Sequence, residues 1–390
     1  MTLLLLVIYV AFIGLGVPDS LIGSAWPSIY TELSLPVGAV SAVTLLISGA
    51  TVLSSILSGR ILNKFGTPAV TVVSTAMTAV SLVGFALSPS IYFMLPAAVV
   101  LGLGAGAIDA GLNNYVAIHF SARQMNLLHC FYGIGVTVSP YVMSLAISGT
   151  GWRQGYLIAA GIQLIITLML LLSVPLWKKG VANVSGEESV SLSLPEIASI
   201  SGVLPLWIVM ITTNAIEYAA GVWGSTYLVE TRGLTAAEGA AAISLYYLGL
   251  ALSRLISGFL ATRLGTFRRI WIGVGMLFVS MLVLLLPLGA VGGIVGLSLI
   301  GLSNGAIYPN LIHLTPYSFG EERSQSIMGT LIAFAYVGVM LSPPLISLLT
   351  SLIGIDSYPI IIIVLYIVMT ATLLLYKRAV KKAGRYNDKV

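Results

Sequence analysis

Long apolar runs that do not alternate with polar residues occupy most of this 390-residue chain. A membrane-spanning helix needs about 20 apolar residues, because a helix rises about 1.5 Å per residue and the hydrocarbon core is about 30 Å thick. A transmembrane strand needs only about ten residues, and these alternate. We therefore predict transmembrane helices, which satisfy their backbone polar groups internally, and the chain has room for about twelve of them.

The composition excludes the soluble classes of protein. Charged residues make up 8% and hydrophobic residues 58%, with a mean hydropathy of +1.03, whereas a soluble domain carries about 25% charged residues. This excludes a soluble enzyme, a nucleic-acid binder and a disordered scaffold. The single cysteine, Cys130, is too few for a disulfide framework and is expected to be a small core residue. The first apolar run has no basic segment before it and predicts a span, not a signal peptide.

Lysine and arginine residues set the predicted orientation. Of the 18, all but Arg153, Arg232 and Arg254 fall on one side of the membrane if the N-terminus is inside. We therefore predict a multi-pass protein of the cell membrane with both termini in the cytoplasm. The predicted spans are 3–29, 37–59, 68–88, 91–118, 123–148, 154–177, 203–229, 237–262, 269–288, 291–316, 324–351 and 357–376.

One long polar loop divides the chain into similar halves. Residues 54–67 read SSILSGRILNKFGT and residues 253–266 read SRLISGFLATRLGT, which is an offset of 199. The acids Asp19 and Glu217 lie at the nearly equal offset of 198. We predict an all-α fold of two pseudo-symmetric six-helix bundles. Its predicted parts are the bundle 1–177, the cytoplasmic linker loop 178–202, the bundle 203–376 and the basic cytoplasmic tail 377–390.

The two six-helix repeats, the central loop and the turn after the second helix resemble the major facilitator superfamily. Gly59, Arg60 and Lys64 carry the turn motif, but Leu62 and Asn63 stand where the family usually has an acid. The resemblance implies a transporter whose halves alternately open a central site. It also implies a gating role for the turn, although the missing acid removes the usual salt bridge. Residues expected to gate or shape the helices are Gly59, Arg60, Lys64, Arg254, Arg263, Pro140 and Pro343.

Two short runs resemble the fucose-permease-like branch of sugar–cation symporters. They are residues 109–114, which read DAGLNN, and residues 126–133, which read NLLHCFYG. This resemblance implies sugar uptake driven by protons or sodium.

Three acids lie inside predicted spans, where ionisable groups are expensive and therefore informative. Burial of a carboxylate disfavours its charged form, so Asp109, Glu217 and Asp19 could take up and release a proton. Alternatively, they could bind sodium, accept hydrogen bonds from a sugar, or pin two helices together. No catalytic or metal-binding pattern is present, so we predict no enzyme activity and no cofactor apart from the coupling ion.

Neutral polar residues inside the spans are candidates for solute binding. Asp109 and Asn113 are four residues apart and therefore share a helix face. Asn304 and Tyr308 have the same spacing, and Pro309 and Asn310 are expected to interrupt their helix. For each candidate, packing or a helix–helix hydrogen bond is the alternative. The candidates are Asn113, Asn114, His129, Tyr132, Gln163, Asn214, Trp223, Tyr246, Asn304 and Tyr308.

These residues favour an importer of a small polyhydroxylated solute, such as a monosaccharide, coupled to H⁺ or Na⁺. The spans are rich in neutral hydrogen-bonding groups, and we expect no basic residue at mid-depth. Arg254, about 13 Å along its helix from Arg263, either snorkels or pairs with a carboxylate. A proton-coupled exporter of drugs or lipophilic compounds and a lipid or glycolipid flippase are the alternatives. The expected partners are the solute and the lipid bilayer, without nucleic acid, and a monomer suffices.

Overall fold

A computed structural model describes residues 2–120, 122–177 and 192–385. In this part of the chain, twelve helical segments are long and apolar enough to cross a membrane, which confirms the predicted number. They are Leu3–Glu32, Val37–Phe65, Thr67–Leu87, Ile91–Asn113, Leu127–Gly149, Trp152–Leu176, Val203–Arg232, Ala236–Leu260, Thr266–Leu285, Gly289–Phe319, Glu322–Ile353 and Ile355–Lys382.

The first seven helices fill the six N-terminal spans. A single glycine, Gly66, ends the third helix and precedes the fourth, and its φ of 78° is one that side chains disfavour. Pro68 follows in the first turn, where its missing N–H costs nothing. The helices are α1 (Thr2–Asp19), α2 (Leu21–Glu32), α3 (Val40–Phe65), α4 (Thr67–Leu87), α5 (Ile91–His119), α6 (Ala122–Gly149) and α7 (Trp152–Ser173).

Eight helices follow in the remainder of the described chain. Seven of them form the C-terminal spans, and α8 lies in the predicted linker, where the sequence suggested only a loop. The helices are α8 (Leu194–Ser199), α9 (Val203–Arg232), α10 (Ala236–Leu260), α11 (Thr266–Leu285), α12 (Gly289–Asn304), α13 (Ile307–Phe319), α14 (Glu321–Ile353) and α15 (Tyr358–Lys382). Short 3-10 turns occupy Val37–Ala39, Val174–Leu176 and Ile355–Ser357.

The described residues form two compact units. Unit 1 contains the described residues up to Trp177 together with Gly221–Tyr247, and unit 2 contains 192–220 and 248–385. The second half of α9 and the first half of α10 therefore pack in one unit with the N-terminal helices. In unit 1 the main packed pairs are α3 with α5, α4 with α5 and α7, and α1 with α6.

Close helix contacts repeat between the two halves. A Cβ placed on Gly106 would lie 3.0 Å from the Cβ of Ser54 in unit 1. A Cβ on Gly305 would lie 3.0 Å from the Cβ of Ser253 in unit 2, and both pairs are offset by 199 residues. Small residues at these places let the helix backbones approach closely. The sequence repeat therefore corresponds to a repeated packing arrangement.

A second contact also repeats, but its glycine is on a different helix in each half. Gly104 on α5 packs on α4, where its Cβ would lie 2.8 Å from the carbonyl oxygen of Ser74. The positions 199 residues later carry Ser303 and Gly273, and a Cβ on Gly273 would lie 2.8 Å from the carbonyl oxygen of Ser303. The same contact thus has its glycine on the first helix in one unit and on the second in the other.

Two spans are interrupted near their middles. The first breaks at Ser20, between α1 and α2, immediately after Pro18 and Asp19. The tenth breaks at Gly305 and Ala306, between α12 and α13. The sequence predicted the first span as continuous and placed the second break at Pro309 and Asn310. Pro309 instead lies in the first turn of α13, where a proline is tolerated.

Candidate functional site

Asp19 lies at the break in the first span. It is the last residue of α1, its side chain is exposed, and its Oδ2 accepts a hydrogen bond of 2.8 Å from the hydroxyl of Tyr132 on α6. Beside it, the hydroxyls of Ser20 and Ser139 are 2.6 Å apart and buried. The break thus presents a carboxylate at mid-span that is held by a neutral donor.

Asp109 and Asn113 share a face of α5, as their spacing predicts. The side-chain amide of Asn113 donates to Oδ1 of Asp109 at 2.8 Å and to the Asp109 carbonyl at 3.0 Å. Both residues are half-buried. Unit 1 therefore holds two acids inside spans, Asp19 at the end of α1 and Asp109 on α5.

Neither of these acids has a cationic partner within the described residues. A carboxylate inside a span is costly unless it is paired, protonated or bound to a cation. A proton or a cation that neutralises either carboxylate is therefore favoured. The same oxygens are acceptors for hydroxyl groups.

The third intramembrane acid is paired. In unit 2, Nη2 of Arg254 on α10 donates to Oε1 of Glu217 on α9 at 3.2 Å. Nε of Arg254 donates to the carbonyl oxygen of Gly305, at the break in the tenth span, at 3.2 Å. Arg254 therefore pairs with a carboxylate, which is one of its two predicted roles, and it lies six residues, or about 9 Å, before the end of α10.

The side-chain amides of Asn304 and Asn214 in unit 2 make hydrogen bonds with uncharged groups. Asn304 is buried and makes two hydrogen bonds with Thr213, one from the Thr213 hydroxyl and one to its carbonyl. Asn214 is half-buried, and its amide N–H donates to Met210 at 2.8 Å. Tyr308 lies on α13, across the helix break from Asn304, and is half-buried. Asn304 thus ties the broken span to α9.

Gln163 compensates for a proline. Pro18 has no N–H and cannot donate to the carbonyl four residues earlier, Gly14. The buried amide of Gln163 on α7 donates to this carbonyl instead. Its Oε1 is buried and has no hydrogen-bond partner in the described chain.

The remaining solute-binding candidates differ in how far their side chains are exposed. His129 is exposed and meets the ring of Phe12 edge-on at 5.9 Å. Trp223 and Tyr246 are fully buried in unit 1, and Tyr246 packs edge-on against Tyr247. The side chain of Asn114 lies outside the described residues. Cys130 is exposed, so the expectation of a buried core cysteine is wrong.

Metal-binding clusters and cavities are the remaining features of the described residues that could form a site. No three His, Cys, Asp or Glu side chains within 2–120, 122–177 and 192–385 are grouped so that they could hold a metal ion. A cavity of about 430 Å³ in unit 2 is lined by none of the predicted solute-binding residues. Its lining is Ile312, His313, Pro316, Tyr317, Ser324 and Met328.

The comparisons with known proteins identify the family. A family model described as Major Facilitator Superfamily matches residues 8–332. The chain belongs to the major facilitator superfamily. It is therefore a multi-pass membrane transporter.

Individual relatives are distant. The chain is 25% identical over 260 residues to an uncharacterized MFS-type transporter, YfkL, of Bacillus subtilis (strain 168), and the match covers 65% of each chain, just under two thirds of that relative. It is 24% identical over 306 residues to a 3-(3-hydroxy-phenyl)propionate transporter of Escherichia coli (strain K12), covering 74% of this chain and 72% of the relative. The crystal structure of the nucleoside transporter NupG matches with a TM-score of 0.80 and 15% identity, covering 96% of this chain and 100% of that one. At this identity, the structural match shows the fold alone.

The family's turn motif is exposed in this member of the superfamily. Gly59, Arg60 and Lys64 are all exposed at the end of α3, and the Lys64 ammonium lies 5.2 Å from the centre of the Phe65 ring. Arg263 is exposed in the equivalent place in the second half. Pro140 and Pro343 are buried inside α6 and α14, neither of which is interrupted.

Sequence reasoning missed a set of contacts that this major facilitator chain makes within unit 1. They join Gly221–Tyr247 to the N-terminal helices. The hydroxyl of Tyr30 on α2 donates to Glu230 on α9, and that of Ser244 on α10 donates to the carbonyl of Thr137 at 2.5 Å. Gly23 on α2 packs directly on the carbonyl of Gly221. Isolated glycines in apolar runs were the only signal, and such glycines are common in membrane helices.

Proposed function

We propose that this transporter imports a small polyhydroxylated solute, such as a monosaccharide, and couples its uptake to protons or sodium by alternating access. The resemblance of residues 109–114 and 126–133 to fucose-permease-like symporters supports this substrate class. The proposal also retains a monomer in the cell membrane with both termini in the cytoplasm.

One observation carries the proposal: unit 1 holds two carboxylates inside spans whose contacts are neutral donors. Tyr132 donates to Asp19, and Asn113 donates to Asp109. Binding a cation neutralises the unpaired charge of either acid, which links cation binding to these residues. A solute hydroxyl can replace either neutral donor, because hydroxyl groups also donate to carboxylates.

The remaining candidates differ in whether their polar groups are free to bind a solute. The side-chain amide of Asn214 donates to the Met210 carbonyl on its own helix, and its oxygen can accept a hydrogen bond from a solute. Asn304 and Gln163 serve as solute contacts only if their present hydrogen bonds exchange. The proposal keeps as further solute contacts Asn114, His129, Trp223, Tyr246 and Tyr308.

Uptake by purified protein in proteoliposomes with an internal pH dye tests the proposal. The panel comprises hexoses, pentoses, polyols and 3-(3-hydroxyphenyl)propionate, each with and without sodium. We expect a sugar to acidify the interior, or to enter only with sodium. Asp109→Asn and Asp19→Asn should each abolish concentrative uptake, whereas Asp356→Asn, which changes an exposed aspartate outside the candidate site, should retain it.

Two results would contradict the proposal. Concentrative sugar uptake by folded Asp109→Asn would remove this acid from the coupling path. Silence of the native protein across sugars, sugar acids and polyols would favour the alternatives, an exporter of lipophilic compounds or a flippase. Assays of lipophilic-cation efflux and of lipid translocation then separate these two.

A further inference from the structure

We infer that Arg254 is an anion-binding residue and that the transported solute is a hydroxylated carboxylate, of the chemical class of the sugar acids. The inference rests on the proposed function, because it names the class of polyhydroxylated solute. It concerns unit 2, where Arg254 pairs with Glu217, whereas the candidate coupling acids Asp19 and Asp109 lie in unit 1.

The position of Arg254 requires an explanation. It lies six residues before the end of α10 at Leu260, or about 9 Å along the helix, inside a candidate membrane span. Arginine inside a span is rare and generally faces a protein partner or a water-filled space. Arg254 is 32% exposed, and its Glu217 partner is 24% exposed. The pair is therefore accessible and is not sealed in the packed interior of the unit.

Arg254 has hydrogen-bonding capacity to spare. A guanidinium has five N–H groups in a planar fork. Within the described residues Arg254 uses two of them, on Glu217 and on the Gly305 carbonyl, and Nη1 has no partner. Its contact with Glu217 is a single hydrogen bond of 3.2 Å, not the two-point contact that arginine often makes with a carboxylate. A second carboxylate can therefore bind the open edge of the guanidinium.

A hydroxyl acceptor lies on the same helix face as the Glu217 partner of Arg254. Asn214 is three residues before Glu217 on α9, so the two side chains share a face. The side-chain amide of Asn214 donates to the Met210 carbonyl, and its oxygen is an acceptor for a hydroxyl. Arg254 and Asn214 together suit a carboxylate with a hydroxyl on a nearby carbon. A neutral sugar would leave the guanidinium edge unmatched.

Equilibrium binding to purified protein, with matched neutral and acidic sugars, tests the inference. The probes are galactose with galactonate, glucose with gluconate and glucuronate, 3-(3-hydroxyphenyl)propionate, and sodium sulfate. We expect one sugar acid to bind about tenfold or more tightly than its neutral counterpart, because charge-assisted hydrogen bonds are the stronger ones. Arg254→Gln should remove this preference. Arg268→Gln, which changes an exposed arginine of α11, should retain it.

Two further variants separate an anion site from a structural ion pair. Glu217→Gln removes the internal competitor for Arg254 and should tighten acid binding, whereas a purely structural role predicts only destabilisation. The reversed pair Glu217→Arg with Arg254→Glu should restore folding, judged by monodisperse elution and melting temperature, but should not restore acid preference. If Arg254→Gln does not fold, Arg254→Lys and the reversed pair supply the test.

The outcomes distinguish this inference from the proposed function. Uptake of neutral sugars with no preference for their acids would overturn the role of Arg254 and leave the proposed function standing. Binding of the phenolic acid or of sulfate as tightly as the sugar acid would overturn the hydroxylated class. No binding or uptake of any sugar or sugar acid would overturn both.

Discussion

The contact between Gly23 and Gly221 gives the sharpest mechanical prediction. A Cβ on Gly23 would lie against the carbonyl of Gly221 and 2.8 Å from the Cα of Val222. Carbon atoms pack at about 3.5 to 4.0 Å, so Gly23→Ala must separate α2 and α9 by about 0.7 to 1.2 Å. Overpacking of this kind costs about 1 to 3 kcal/mol. The equilibrium should therefore shift about 5- to 150-fold toward states in which this contact is open.

Cysteine labelling measures this shift. Cys130 is the only native cysteine, so Cys130→Ala supplies a background without a reactive thiol. Ser24 is fully buried beside the contact, and Ser24→Cys should react with a maleimide only when the helices part. We expect Gly23→Ala to raise the labelling rate by about the factor given above.

The matched control is Gly161→Ala on α7. A Cβ there would meet nothing within 4 Å, and alanine is the better helix former by about 1 kcal/mol. The labelling rate should not rise in this control. Equal rates in Gly23→Ala and its parent, with the same melting temperature, would refute the contact and the reasoning built on it.

Two other predictions concern helix ends and breaks. Gln163→Leu should lower stability by about 1 to 3 kcal/mol by leaving the Gly14 carbonyl unpaired. Pro18→Ala restores a backbone donor, so the same change should cost less in that background when unfolding is followed by melting. In α8, the hydroxyl and the N–H of Ser193 donate to Glu196 at 2.6 and 2.8 Å and lower the pKa of this exposed acid from its usual 4.5. This stabilisation is present above pH 4.5 and is lost as the pH falls through the lower pKa of the folded state. Hydrogen exchange of α8, corrected for its intrinsic pH dependence, should therefore lose protection in acid. Ser193→Ala removes the hydroxyl donor but keeps the backbone donor, so it should weaken the transition.

Patterns that repeat over many residues made the fold predictable. Each span depends on about 20 apolar residues, so single exceptions do not obscure it. The repeat at residues 54 and 253 begins with Ser54 and Ser253, which pack against the equivalent glycines Gly106 and Gly305 in the two units. The breaks were harder to predict. A proline or glycine in a membrane helix is compatible with a continuous helix or an interrupted one, and the partners of the freed carbonyls decide.

The candidate site was predictable where partners share one helix. The pair Asp109 and Asn113 follows from a four-residue spacing. Tyr132 with Asp19, and Arg254 with Glu217, join different helices, 113 and 37 residues apart in sequence, and spacing within one helix contains no information about such pairs. The sequence therefore indicated which residues are unusual for a span without indicating which of them neutralise one another.

The glycine that changes helix between the two units has an evolutionary consequence. The approach of α5 to α4, and of α12 to α11, requires that one residue lack a side chain, and either helix can supply it. Serine on both helices would force them apart, so the two arrangements cannot interconvert through that intermediate. A six-helix unit with glycine on both helices would satisfy this contact, and either half could then lose one of the two glycines without losing the contact.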